Sequence, residues 1–153
     1  MEPEVTMIVR LLRGTHDRFR AVVRGLDPET LALTPGAETN SIAVCVRHTL
    51  RSEASMLGRL ADRRVDRVYA EDFLNQPTSE EDLLAQIEQG DRVLDDFGEA
   101  IPRAALDRVW ERPNGHVFTG IEWLTHHYGH ANEHVGHAEL TRQLLAEHPQ
   151  AAR

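Results

Sequence analysis

The spacing of the apolar residues constrains this chain more than any other feature. Val5, Ile8, Leu12, Thr15, Phe19, Val22 and Leu26 recur every three or four positions, which winds them onto one face of an α-helix. The same spacing returns three more times. Ile42, Cys45, Thr49, Met56 and Leu60 line one face of a second helix, capped by Asn40 or Ser41 and running to about Asp62. Leu83, Ile87, Leu94, Phe97 and Ile101 line a third, capped by Thr78 or Ser79, with Glu80, Glu81 and Asp82 at the positive end of its dipole. A fourth opens at Thr119 and runs to about Glu147, stopping before Pro149. No strand pair with hairpin chemistry stands out, and no internal repeat.

Four amphipathic helices must bury their stripes against one another. The segments between them are long and carry turn residues. Residues 27–40 hold Pro28, Pro35, Gly36 and Asn40, a polar stretch leads to Pro77, and residues 102–117 hold Pro102, Pro113, Asn114 and Gly115, with a short helical turn around Ala104 to Val109. The first connection favours a crossover over a tight helical hairpin. The expected fold is therefore all-α, a four-helix bundle with long connections after helices 1, 2 and 3. With 153 residues the chain fits one domain, expected over 1–148 with a short C-terminal tail at 149–153.

Charge and composition narrow the function classes. Acidic residues outnumber basic ones 25 to 17, every basic residue is Arg, and the net charge of -8 would repel phosphates; no nucleic-acid partner is expected. No apolar run approaches the roughly 18 residues that would span a bilayer. The start, MEPEVTMIVRLLRG, lacks the basic opening and small-residue cleavage site of a signal peptide. Cys45 is the only cysteine, so no internal disulfide forms, and it reads as interior packing. A cytoplasmic protein without a membrane partner is the expectation.

Histidine is the residue type that carries chemistry here. Five of the nine histidines fall between positions 126 and 137. At about 100° per residue, His126, His130, His134 and His137 share an arc of about 80° on the last helix, and His127 lies at its edge toward the apolar stripe. Histidines four apart can aim their nitrogens at one point, and a third from another helix would complete a facial site with positions open for water or substrate. His48, the only histidine of the second helix, borders its apolar face. Spacing alone leaves open which of these imidazoles bind a metal and which are solvated or packed. It does exclude other templates. The chain has no His-Glu-x-x-His, no Glu-x-x-His pair of a carboxylate-bridged di-iron bundle, no phosphate loop and no Gly-x-Ser-x-Gly elbow.

Other residues admit two readings each. Glu53, near the middle of the second helix's apolar face, could orient an imidazole or accept a proton, or could pair with an Arg at the bundle edge. His126, one turn before His130, could face a substrate or simply solvent. His127 fits a satisfied core histidine. Arg142 fits a structural ion pair better than catalysis. Trp110, Phe118, Trp123 and Tyr128 could line a pocket but more commonly form core. His148 is expected at the surface, while His16 and His116 have no assignment.

Two segments carry a family likeness. GLDPETLALTPGAETNSIAVCVRHTLRSEASML resembles the linker, the Asn-Ser-Ile helix start and the lone metal-binding histidine of the DinB/YfiT-like superfamily. HANEHVGHAELTRQLL resembles that superfamily's terminal His-x-x-x-His-x-Gly-Gln run followed by an Arg, departing from it at His137, where Gln is usual. The resemblance implies a four-helix bundle whose metal ligands are His48, His130 and His134. It implies one divalent transition metal, such as zinc, nickel or iron, a small-molecule substrate and a homodimer. The superfamily includes transferases of low-molecular-weight thiols and a mycothiol-dependent maleylpyruvate isomerase. The expected activity is thus a metal-dependent hydrolase or thiol S-transferase activating water or a low-molecular-weight thiol, with Glu53 and His126 assisting proton movement. The alternative is a non-catalytic metal-binding, dimeric stress-response protein.

Overall fold

The computed structural model describes residues 1–111 and 115–147. In chain order the elements are α1 (Pro3–Val23), α2 (Pro28–Ala32), α3 (Ile42–Leu60), a 3-10 turn (Tyr69–Phe73), α4 (Glu80–Ala100), α5 (Arg103–Asp107), β1 (Val109–Glu111), β2 (Val117–Thr119) and α6 (Gly120–Glu147). Four long helices are present as expected, and α2 and α5 lie within two of the connections.

Side-chain oxygens decide where the long helices begin. Ser41 rather than Asn40 caps α3, its Oγ accepting from the Val44 amide at 3.2 Å. Ser79 rather than Thr78 caps α4, accepting from the Asp82 amide at 3.0 Å. Thr119 and Glu122 cap α6 reciprocally: the Thr119 Oγ1 accepts from the Glu122 amide at 3.3 Å, and Glu122 accepts from the Thr119 amide at 2.8 Å. Asp27 starts α2 by accepting from the Thr30 amide at 2.8 Å.

A β-hairpin corrects the sequence expectation that no strand pair forms. β1 and β2 pair antiparallel, with Val109 opposite Thr119 and Glu111 opposite Val117. Strands of three residues are too short to show alternation, and their pairing depends on backbone bonds that carry no side-chain signature. The expectations about Pro113, Asn114, His148, Pro149 and the 149–153 tail concern positions outside the described residues.

α1 packs against α4 and α6, and α3 packs against the same two, so α1 and α3 stand diagonally across the bundle. Successive long helices α1 and α3 are therefore joined by a crossover, which explains the length of the first connection. α3 and α4 are neighbours, yet residues 61–79 separate them, because the 3-10 turn folds back onto α3. Among the described residues no helix is long and apolar enough to cross a membrane.

The interior has two apolar clusters. One joins Val5, Leu12, Leu57, Leu60, Leu94 and Leu124; the other joins Phe19, Ile42, Val46, Leu83, Ile87 and Val135. Between them each long helix contributes a polar residue: His16 from α1, Glu53 from α3, Asp91 from α4 and His127 from α6. Gly90 makes room for this layer. A Cβ there would lie 3.1 Å from the His16 ring and 2.7 Å from a Leu50 methyl.

Candidate metal centre

His48 sits in the second turn of α3, and His130 and His134 occupy successive turns of α6, the helix packed against it. The Nε2 atoms of His48 and His130 are 3.1 Å apart, as are those of His130 and His134. One nitrogen from each of the three lies within 4.8 Å of the others. Tetrahedral coordination at about 2.05 Å per nitrogen would set ligand nitrogens about 3.3 Å apart, so the spacing fits a single ion.

Protons do not complete this arrangement. The His130 Nε2 faces two other Nε2 atoms at once. Protonated, it could donate to one but would offer no lone pair to the other; unprotonated, it could accept from only one of them along its single lone pair. A cation drawing on three lone pairs satisfies all of them. Electrostatics keep those pairs available. Burial lowers the His134 pKa to about 3, helped by the neighbouring His130, His48 and His137. Burial also lowers His48, joined by the charge of Arg67 and opposed by Asp72.

The back of His48 is held by a residue that sequence reasoning missed. Asp72, fully buried in the 3-10 turn, places Oδ2 3.3 Å from the His48 Nδ1. A carboxylate there favours a proton on Nδ1 and leaves the Nε2 lone pair facing the cluster. Arg67 pairs with Asp72 through both Nε, at 2.9 Å, and Nη2, and Arg51 adds a longer contact at 3.4 Å. Phe73 and Tyr69 pack on the His48 ring with centroids at 4.7 and 5.9 Å. The only available sequence signal was the aromatic pair Tyr69 and Phe73 inside an otherwise polar connection.

Glu53 is not part of the three-histidine cluster. It is fully buried, and its neighbours are His16, with Nε2 3.2 Å from Oε1, and His127, with Nε2 3.9 Å from Oε2. This corrects the alternative of an Arg partner at the bundle edge: no Arg ion pair reaches Glu53 among the described residues. The other ring nitrogen of His16 meets Asp91 Oδ1 at 2.8 Å, and Arg20 also pairs with Asp91. Burial alone would lower the His16 pKa, but hydrogen bonds and charge from Asp91 and Glu53 outweigh it and raise it to about 9. Burial raises the Glu53 pKa, against the pull of His16. With carboxylates on both sides of one ring, the imidazolium form of His16 is favoured. His127 is buried as a core histidine should be, but its Nε2 is not satisfied by a hydrogen bond among the described residues, and burial holds its pKa well below the ordinary value.

A pocket of about 230 Å³ opens beside the cluster, between α3 and α6. His126, exposed and stacked on Phe118 at 5.1 Å, lines it together with His127 and His130. Trp123 lines it too, although only 8% exposed, while Trp110, Phe118 and Tyr128 pack against the core. His137 is exposed, 6.1 Å from the His134 ring. The Cys45 thiol is buried and its pKa pushed up to about 12, as expected of packing. Arg142 departs from expectation. Among the described residues it forms no ion pair and instead donates to the Ala21, Val22 and Arg24 carbonyls at the end of α1, where a helix leaves its last carbonyls without intrahelical donors.

Comparison with known proteins agrees with this architecture. A family model described as DinB superfamily matches residues 11–138, a span that includes all three clustered histidines. Among solved structures, the chain is similar to a conserved protein of Enterococcus faecalis. The two are 15% identical, with a TM-score of 0.78 over 96% of this chain and 99% of that one, a likeness of fold. No curated protein matches the chain.

Proposed function

The chain belongs to the DinB superfamily, and from that premise we propose that it is a metal-dependent enzyme, acting on a small molecule as a hydrolase or thiol S-transferase. His48, His130 and His134 would hold one divalent transition ion, with zinc, nickel and iron all suited to imidazole. When bound, such an ion lowers the pKa of water or of a low-molecular-weight thiol and so supplies a nucleophile near neutral pH. The observation that carries this reading is the meeting of three Nε2 atoms that protons cannot satisfy together.

The chain's own residues would divide the remaining work. Asp72 orients His48 through Nδ1. His126, exposed at the pocket, is placed to exchange a proton with a bound substrate. Glu53 is sealed from the pocket by burial, so its part is to offset the charge of His16 rather than to meet a substrate. A cytoplasmic homodimer, with the domain extending over 1–148, completes the reading.

One observation favours a second reading, a non-catalytic metal-binding, dimeric stress-response protein. Of the three clustered histidines only His130 lines the pocket, while His48 is 5% exposed beneath Tyr69 and Phe73. Cobalt substitution separates the two. In the enzyme reading, 2-mercaptoethanol or azide shifts the visible absorption of the cobalt protein. Absorption indifferent to both would mean a closed site and favour the second reading.

A further inference from the structure

The pocket beside the cluster has a polarity that the metal reading does not require. α3 presents His48, Ser52, Ser55 and Arg59 at intervals of four, three and four residues, so all four share one face of the helix. The face rises about 16 Å from His48 to Arg59. α6 faces it with His130, His126 and Trp123. Arg67 also lines it, its charge taken up by Asp72, so the groove begins at imidazole and a compensated guanidinium, passes two hydroxyls and an indole, and ends at the guanidinium of Arg59.

The Arg59 side chain makes no ion pair or hydrogen bond among the described residues; its guanidinium lies over the Trp123 ring, with Cζ 6.0 Å from the ring centroid. This is unusual for its neighbourhood, since Arg51 and Arg67 are both paired with carboxylates. No Asp or Glu lines the pocket. A chain of net charge -8 therefore keeps one small cavity free of acids and sets an uncompensated cation at its end. The volume, about 230 Å³, is below the roughly 300–1,000 Å³ of sites for drug-sized ligands.

We propose that this groove takes a small aliphatic carboxylic acid, its carboxylate on Arg59 and the hydroxyls of Ser52 and Ser55, its other end turned toward His130. The indole of Trp123 and the thioether of Met56 would cover the short hydrocarbon between them. The inference deepens the proposed function by giving the substrate a class. Its anion subsite stands on Arg59 and not on the metal, so the two can fail separately.

The test is titration of the ¹⁵N-labelled full chain with sodium pentanoate, pentanamide and sodium sulfate, following the Trp123 indole N–H. Saturable binding of pentanoate is expected, with pentanamide and sulfate at least tenfold weaker. Arg59→Gln should weaken pentanoate about tenfold, the worth of one charge-assisted hydrogen bond, with Arg59→Lys in between. Pentanoate should still bind His134→Ala, whatever that variant's metal content, because His134 does not line the groove. Pentanoate binding that is absent, is matched by pentanamide or is unchanged in Arg59→Gln would overturn the proposal. Sulfate binding as tightly as pentanoate would replace the carboxylic acid by a tetrahedral oxyanion and overturn it equally. Because Arg59 is exposed in the last turn of α3, Arg59→Gln is expected to fold; an unchanged melting temperature checks this.

Discussion

The three-histidine cluster and the buried layer around Glu53 share one bundle and deal with buried imidazoles in opposite ways. In the layer, basic and acidic groups alternate: Asp91, His16, Glu53, His127. His16 meets Asp91 at 2.8 Å and faces Glu53 at 3.2 Å, and the charges of His16 and its carboxylates offset one another, while the His127 Nε2, 3.9 Å from Glu53, lies beyond hydrogen-bond reach. In the cluster, three imidazole nitrogens face each other with no carboxylate among them, and the nearest, Asp72, stands behind His48. The first group is held by charge set against charge, whereas the second gathers three imidazole nitrogens that a cation could draw together. Histidine content by itself would not distinguish them; the position of the carboxylates does.

If this contrast holds, damage to the two groups must have different signatures. The largest effect is expected at Glu53. Glu53→Ala leaves the His16 imidazolium buried with half its compensation and should cost about 3–5 kcal/mol of stability in urea denaturation, with metal affinity little changed. His134→Ala should do the reverse, costing little stability in metal-free protein while abolishing the response to metal. In the intact chain, metal at a thousandfold over its dissociation constant should add about 4 kcal/mol, seen as a concentration-dependent rise in melting temperature.

The pH dependence comes next in size. His16 has its pKa raised from the ordinary 6.5 to about 9, so its contribution is complete below 6.5 and is lost as pH rises through 9. The groups facing it are Asp91 from α4 and Glu53 from α3, with Arg20 and Arg13 on Asp91 and His127 on Glu53. Metal-free protein should therefore lose up to about 3 kcal/mol between pH 6.5 and 9, the measure of a shift of this size. His16→Gln should flatten that slope. The smallest effect is at the back of the cluster: Asp72→Asn should weaken metal binding about 10–100-fold by competition titration, without the stability loss of Glu53→Ala.

The contrast was only half legible in the sequence. The helices could be read because caps and stripes are local: Ser41, Ser79 and Thr119 each bond an amide three residues away. The pairing of His130 with His134 could be read for the same reason, since one turn of helix brings them together. His48 lies 82 residues from His130, and only family likeness joined them. Asp72 sits in an irregular connection with no period to betray it. His16 stood in a readable helix without an assignment, because its partners, Glu53 and Asp91, come from two other helices and their approach depends on how the bundle packs. The hairpin was missed because three-residue strands form no pattern.

The most direct measurement is metal content by elemental analysis of protein purified without chelator, for the intact chain and for His130→Ala/His134→Ala. The account predicts one divalent transition ion per chain in the first and none in the second, with helical content equal by circular dichroism. Equal metal in both proteins would contradict it.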